Sequence, residues 1–476
     1  MKIDTDFVMS INGEAVITEH TQPVYNPATR TVFAQVPDCS EAQFEDAVTA
    51  ARQAFGPWSS RPIEERQEIV AKLGDMLEEH AEAFMALLTR EQGKPRAGSE
   101  WEIFGSAAWL KEIATQSLPE EVVEETEERR VVTRYTPLGV VGAIVPWNFP
   151  LLLAIWKIAP ALVAGCTVVL KPSPYTPLCD LKFVELAQQV LPPGVLNCVS
   201  GGDDLGRWMT AHPNINKIAF TGSTETGRHV MRSAGDSIKR VTLELGGNDP
   251  AIVLPDVDPK AIAPQLFWAA FQNNAQFCNA TKRLYIHESI YDEVRDALVE
   301  FINKEVKVGD GAEAGTTLGP IQNAMQYEKV QSYFADCKNN GYCFAVGGEI
   351  DTEAPGWFVP VTLVDNPPED SRIVCEEPFG PILPLLKWSD EEEVIVRAND
   401  TIYGLGASVW GEDLEAVERI GARLEAGTVW LNEVHQYSPH QAFGGHKQSG
   451  LGCENSLHGL MECTNWQTIT LNKNGV

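Results

Sequence analysis

Three side chains of types suited to acyl chemistry stand out first. Cys278 follows Asn273, Asn274 and Gln276 in FQNNAQFCNATKR, a polar stretch without hydrophobic period that reads as a loop carrying a thiol. Glu244 lies at the end of an apolar strand, just before Gly246 and Gly247. Asn148, in VPWNFP, follows another strand and opens a helix. Together they supply what acyl chemistry requires: a thiolate nucleophile, a carboxylate base and an amide N–H to hold an oxyanion. Each also has a plainer reading on its own. A lone cysteine is usually an inert core residue, a strand-end glutamate a cap or ion-pair partner, and an asparagine at a helix start a simple N-cap.

The neighbouring strand-end loops look like a dinucleotide site. FTGSTETG (220–227) puts Gly222 and Ser223 at a strand end and opens a helix at Ser223 and Thr224. Backbone N–H groups and the positive helix end can there face a pyrophosphate. The GxGxxG fingerprint is absent from this loop. Lys171 ends CTVVLK, where an ammonium can reach a ribose hydroxyl; alone it also reads as a snorkelling surface lysine.

These residues must be positioned by the elements around them. Helical signals dominate 40–115: Ser40 as an N-cap, then amphipathic helices at 63–80 and 100–113. The charged, β-branched stretch 120–136 suggests an exposed ribbon. From 138 to 246 short apolar strands alternate with helices: VVGAIV (140–145), a helix over Pro150–Ala164, CTVVLK (166–171), a helix at 181–190, VLNCVS (195–200), KIAFTG (217–222), a helix at 224–234 and RVTLEL (240–245). That alternation implies right-handed βαβ crossovers and a parallel sheet, with ligands at the carboxyl ends of its strands. A second βα region runs from Pro250 to about Leu431, with Gly246 and Gly247 as the hinge. The tail at 464–471 alternates as a strand and could pair with the ribbon of this subunit or of a neighbour.

Composition narrows the function classes. The chain has 476 residues, long enough for two or three domains, with no repeat or low-complexity block. A net charge of −29 repels phosphate backbones and argues against nucleic-acid binding. The acidic run at 120–128 reads as a solvated edge. The ten cysteines form no CxxC pair and no Cys/His cluster at metal spacing, so reduced thiols and no metal are expected. The apolar stretch 151–169 is broken by Lys157, Pro160 and Gly165, so no membrane span is expected either. Nothing at the N-terminus reads as a signal peptide, and the expected location is the cytoplasm.

At this point the chain resembles the aldehyde dehydrogenase superfamily over essentially its whole length. The motifs that carry the resemblance stand in family order: VPWNFPLLL (145–153), LKPS (170–173), FTGSTETG (220–227), LELGGND (243–249), AQFC (275–278), EEPFGP (376–381), GTVWLN (427–432) and FGGHKQSGLG (443–452). The cysteine also follows the glutamate at the family interval, 34 residues from 244 to 278. The resemblance implies that Cys278 is the nucleophile, that Glu244 activates the hydrolytic water, and that Asn148 with the Cys278 N–H holds the oxyanion. It implies a cofactor site of Trp147, Lys171, Ser173, Gly222, Ser223, Leu245, Glu377 and Phe379, taking NAD, with NADP also possible. Glu454 sits where some members carry a second carboxylate suited to relaying protons. The implied fold is α/β: a Rossmann-like cofactor domain (1–119 and 138–247, with 443–462 packed near it), a catalytic domain (248–442) and a small oligomerisation ribbon (120–137 and 463–476). A homodimer or homotetramer follows.

Two positions depart from the family pattern. Ala275 replaces the usual glycine of GQxC, and Pro174 stands where many NAD-preferring members have a glutamate that binds the adenosine ribose. Pro174 cannot accept those bonds and does not repel a 2′-phosphate, which weakens discrimination against NADP. By position, Phe149, Leu152, Leu153, Trp156, Phe277, Tyr437 and Phe443 should line an apolar, aromatic substrate tunnel, with His435, Gln436, His440 and Gln441 on the loop near its mouth. No arginine is evident there, which disfavours a carboxylate-bearing semialdehyde. The competing readings are a CoA-acylating relative, a thiol hydrolase and a catalytically silent relative. The first has no need of Glu244, the second no need of Lys171 or Glu377, and the third would have lost Cys278 or Asn148.

Overall fold

The computed structural model describes residues 2–475. Continuous apolar runs such as VVGAI and TVVLK are wholly buried, as strands covered by helices on both faces must be. They build a first sheet of eight strands, in the order Gly450–Leu451, Arg240–Glu244, Lys217–Thr221, Val140–Ile144, Thr167–Lys171, Leu196–Cys198, Met9–Ile11 and Glu14–Val16. The strands between Arg240 and Cys198 run parallel, and the outer ones are antiparallel additions.

The second sheet has seven strands, in the order Cys343–Val346, Thr362–Asp365, Ile382–Trp388, Thr281–His287, Asp249–Val253, Gly406–Trp410 and Thr428–Leu431. Only its first pair is antiparallel. The chain passes from one sheet to the other through Gly246 and Gly247. A Cβ on Gly246 would stand 2.4 Å from a Glu377 carboxylate oxygen, and one on Gly247 2.8 Å from the Cys278 carbonyl. The double glycine is therefore a close-approach requirement as much as a hinge.

The tail strand Thr464–Asn472 pairs antiparallel with Arg129–Pro137 of the same chain, and Glu121–Glu125 completes that sheet. Val122, Val123, Trp466, Ile469 and Leu471 are exposed on it. No helix among the described residues is long and apolar enough to cross a membrane.

Several elements differ from the sequence expectations. Two hairpins, Met9–Ile11 with Glu14–Val16 and Thr21–Asn26 with Thr31–Pro37, were not anticipated. The helix expected at 181–190 is Leu178–Ala187, because the buried Glu91 carboxylate accepts the N–H groups of Leu178 and Cys179 at 2.8 and 2.9 Å and so caps it early. The helix expected at 100–113 starts at Arg96, directly after Pro95.

The helix Pro150–Ala164 is the central packing element: all 15 of its residues are buried. Its first residue is Pro and it ends on Gly165 at φ 98°, but its N-cap residue, Phe149, makes no side-chain cap. Glu102, from the helix Arg96–Ile113, serves instead. Its carboxylate accepts the N–H groups of Leu151 and Leu152 at 3.1 and 3.3 Å. Lys94 pairs with Glu102, both side chains almost wholly buried, and donates to the Asn148 carbonyl at 2.9 Å. Glu102→Ala would leave a buried ammonium without its counter-charge and two buried N–H groups without acceptors. The expected loss is about 3–5 kcal/mol of stability, read by urea denaturation; a loss below about 1 kcal/mol would show that the pair does not hold the helix.

Candidate active site

Asn148, Glu244 and Cys278 come from three different crossings of the chain yet line one narrow apolar cavity of about 30 Å³. Glu244 ends the strand Arg240–Glu244, beside Thr221 on the neighbouring strand. Asn148 sits between the strand Val140–Ile144 and the helix at Pro150. Cys278 follows a tight turn in which Asn273, Asn274 and Ala275 have φ of 50, 57 and 58°. That left-handed backbone explains why glycine is the usual residue at 275: alanine there carries strain of about 1–2 kcal/mol.

The Asn148 amide donates to the Gln276 carbonyl at 3.0 Å, so it is tied to the thiol loop rather than capping its own helix. One N–H of the amide remains, and its Oδ1 is buried without a partner. Neither carboxylate oxygen of Glu244 has a hydrogen-bond partner, which excludes both the cap and the ion-pair reading. Burial, with a smaller push from Glu454 and opposed by Lys157, holds the Glu244 carboxyl well above the usual carboxylate range. Burial likewise pushes the Cys278 thiol up to about 12; Lys282 opposes this, while Asp249, Glu244 and Glu377 add to it.

Behind Glu244 lies a polar chain of which the sequence reading had singled out only Glu454. Lys157, fully buried on the helix Pro150–Ala164, pairs with Glu454 and donates to the Thr221 hydroxyl at 2.7 Å. Glu454 and Thr221 both reach the cavity wall, and the second oxygen of Glu454 is unpartnered.

Aromatic rings close the cavity. Phe149 packs on Phe277 at 4.9 Å between centroids, and Trp156 on Phe443 at 5.4 Å, with Tyr437 beside both Trp156 and Phe277. Leu152 and Leu153 complete the wall, as does Trp101 from the helix Arg96–Ile113, which sequence reasoning missed. Asn279 donates to the Tyr437 hydroxyl at 2.6 Å, fixing that ring. His435 packs against Phe277 at 4.6 Å, and burial lowers its pKa to about 4, so it is a neutral ring supporting Phe277 rather than part of the cavity wall. His440 instead lies outside, 3.2 Å from Glu112.

The groups expected at a nucleotide lie along the carboxyl rim of the first sheet and the facing loop. Lys171 and Ser173 are buried. Lys171 donates only to its neighbour's carbonyl, at 3.2 Å, which leaves N–H donors over. Burial lowers its pKa to about 8, and the charge of Asp203 opposes that. Ser223 is exposed and caps the helix Thr224–Gly235 through Thr226. A Cβ on Gly222 would stand 2.5 Å from the Phe220 ring, so this turn must be glycine. Leu245 is buried next to Gly227. Across the rim, Trp147 and Phe379 meet edge to face at 5.4 Å, and Glu377 accepts the Gly247 N–H at 3.1 Å. A helix N-terminus, an ammonium with unspent donors and a carboxylate on the facing loop fit a dinucleotide. Among the described residues no group of three His, Cys, Asp or Glu side chains could hold a metal.

The aldehyde dehydrogenase family model matches residues 16–469. The chain is 40% identical over 470 residues to aldehyde dehydrogenase LUC3 of a Fusarium species, covering 98% of this chain and 99% of that one. It is 40% identical to phenylacetaldehyde dehydrogenase of Pseudomonas fluorescens over 487 residues, 97% and 95% of the two chains. The NAD+ complex of aldehyde dehydrogenase from Bacillus cereus superposes with a TM-score of 0.96 at 38% identity, covering 99% and 97%. The chain belongs to the aldehyde dehydrogenase family. It is an oxidoreductase acting on aldehydes.

The buried Glu244 has a consequence for stability. Its folded-state pKa lies above that of the unfolded chain, so the folded chain keeps a proton the unfolded chain has released. Stability therefore falls as pH rises from the ordinary carboxylate range toward the folded-state value. Glu244→Gln removes that dependence, and its stability relative to the native sequence should grow as pH is raised over this window. Equal pH slopes in denaturation series on the two proteins would rule this out.

Proposed function

We propose that the chain oxidises an apolar or aromatic aldehyde to the carboxylic acid with NAD, through a thiohemiacetal and then a thioester on Cys278. The observation that carries the reading is the cavity itself, where a thiol, an unpartnered carboxylate and a side-chain amide meet inside aromatic walls. The Cys278 thiolate attacks the carbonyl carbon; the S–C bond forms and the carbonyl electron pair moves to oxygen. That oxyanion is held by the Asn148 amide and the Cys278 backbone N–H. A nicotinamide held beside the thiol by Glu377 and Phe379 would supply the acceptor for the hydride lost from carbon. Glu244 then takes a proton from water, whose oxygen attacks the thioester; the C–S bond breaks and the acid leaves. The unpartnered oxygen of Glu454 is the acceptor for the proton behind Glu244, and the Lys157 ammonium holds the other oxygen of Glu454. Aromatic walls exclude bulk water and favour substrates with apolar or aromatic tails.

Lys171, Ser173, Trp147, Gly222, Ser223, Leu245, Glu377 and Phe379 are the residues proposed to hold the dinucleotide. The first sheet (1–119 and 138–247, with 443–462) serves as the cofactor domain and 248–442 as the catalytic domain. Pro174 leaves room for NADP, but the Asp203 charge acting on Lys171 disfavours a 2′-phosphate, so NAD is preferred. The exposed apolar ribbon suits a homo-oligomer, and ten unpaired cysteines suit a reducing cytoplasm.

The test is reduction of NAD and of NADP, followed by absorbance, with a panel of aliphatic and aromatic aldehydes. Cys278→Ala should lose turnover with every aldehyde; turnover that survives would refute the reading. Asn148→Ala should lower kcat by roughly 100- to 1,000-fold. Glu244→Gln should reduce one equivalent of cofactor per site and then stall, whereas full turnover in that variant would remove the glutamate from the mechanism. Asp203→Asn should raise NADP use relative to NAD, and an unchanged ratio would take Asp203 out of cofactor choice.

A further inference from the structure

Lys282 has no role in the steps above, yet it sits beside them. It lies on the strand Thr281–His287, four positions after Cys278, and is only 3% exposed. A lysine buried to this degree costs several kcal/mol of desolvation unless its charge is satisfied. Its ammonium donates to the Cys278 carbonyl and, at 3.3 Å, to the Ala280 carbonyl, and it stands 3.4 Å from Glu377 Oε1. The same Glu377 oxygen accepts the Gly247 N–H at 3.1 Å. One ammonium thus joins the thiol loop, the crossover between the sheets and the loop that carries Glu377.

The charges acting on the thiol are otherwise negative. Asp249, Glu244 and Glu377 all raise its pKa, and Tyr437 faces it as a buried phenol whose own pKa is pushed up by burial. Lys282 is the strongest charge acting on the thiol and the one that favours the thiolate. We infer that Lys282 is a positioning residue for Cys278, fixing the nucleophile loop through its carbonyl and stabilising the thiolate by its charge, to an extent set by Glu377. The inference rests on the reading of Cys278 as nucleophile.

The measurement is the rate of Cys278 alkylation by iodoacetamide across the neutral and alkaline range. Mass spectrometry of the Cys278 peptide follows it apart from the other thiols, with no substrate or cofactor present. Lys282→Gln keeps a donor for the carbonyl but no charge. Its alkylation rate below the thiol midpoint should fall about tenfold, the effect of losing an opposite charge at this range. Lys282→Arg keeps the charge and should retain most of the rate. Equal rates in Lys282→Gln and the native protein, or an equal fall in both variants, would overturn the inference. Should either variant fail to fold, Glu377→Gln asks the same question with Lys282 in place. Freeing the ammonium from its counter-charge should speed alkylation, and an unchanged or slower rate overturns the inference. Full aldehyde oxidation by Cys278→Ala would instead sink the underlying reading.

Discussion

The Lys94–Glu102 pair sets where the rest of the site stands. The helix Pro150–Ala164 is buried along its whole length and has no capping side chain of its own, so its first N–H groups need acceptors from elsewhere. Glu102 supplies them, and Lys94 both neutralises Glu102 and holds the Asn148 carbonyl. With that carbonyl fixed, the Asn148 amide reaches the thiol loop. Successive turns of the same helix then deliver Leu152 and Trp156 to the cavity wall and Lys157 to Glu454. One rigid element thus positions the Asn148 amide, part of the cavity wall and the Lys157 ammonium, which is how a site keeps sub-ångström geometry.

That rigidity offsets local costs concentrated around the cavity. Folded chains rarely leave buried polar atoms unpaired. Here both oxygens of Glu244, one of Glu454 and Oδ1 of Asn148 are unpaired around the same small space. Backbone strain gathers there too: Asn273, Asn274 and Ala275 before the thiol, Phe379 beside Trp147 and His435 against Phe277 all have positive φ. The sequence departure at 275 falls within this set. A methyl occupies a left-handed position, and the buried contacts of the loop hold it there, among them the Gln276 amide, which donates to the carbonyls of Asn273 and Pro320 at 3.0 and 3.2 Å.

What the sequence made legible follows from what is local. Apolar runs separated by helices gave both parallel sheets, because doubly covered strands are written as unbroken hydrophobic segments. Rim loops pointed to a nucleotide, and the ordered motifs of the family resemblance singled out Cys278, Glu244 and Asn148. What was not legible depends on pairing between distant segments. Nothing near Glu102 or Glu91 indicates that each caps a helix about 50 to 90 residues away. Lys157 read as an interruption of an apolar stretch and Lys282 as part of the polar stretch that carries the thiol; their burial, and the carboxylates that meet them, exist only in the folded chain. The first hairpin was missed for the same reason: Met9–Ile11 is a strand by virtue of the edge at Leu196–Cys198 that it joins.

Burial poses the same electrostatic problem twice in this cavity. It drives the Cys278 thiol and the Glu244 carboxyl alike toward their protonated forms, although the roles proposed for them need both as anions. Each is met by a lysine from a separate element: Lys282 acts on the thiol and Lys157 on the Glu244 carboxyl. Each lysine is in turn paired with its own carboxylate, Glu377 for one and Glu454 for the other. One pair ties the thiol loop to the loop that carries Glu377, and the other ties the helix Pro150–Ala164 to Glu454. The proton affinities of the Cys278 thiol and the Glu244 carboxyl are therefore opposed by different lysines, a separation that suits the two-stage reaction proposed for them.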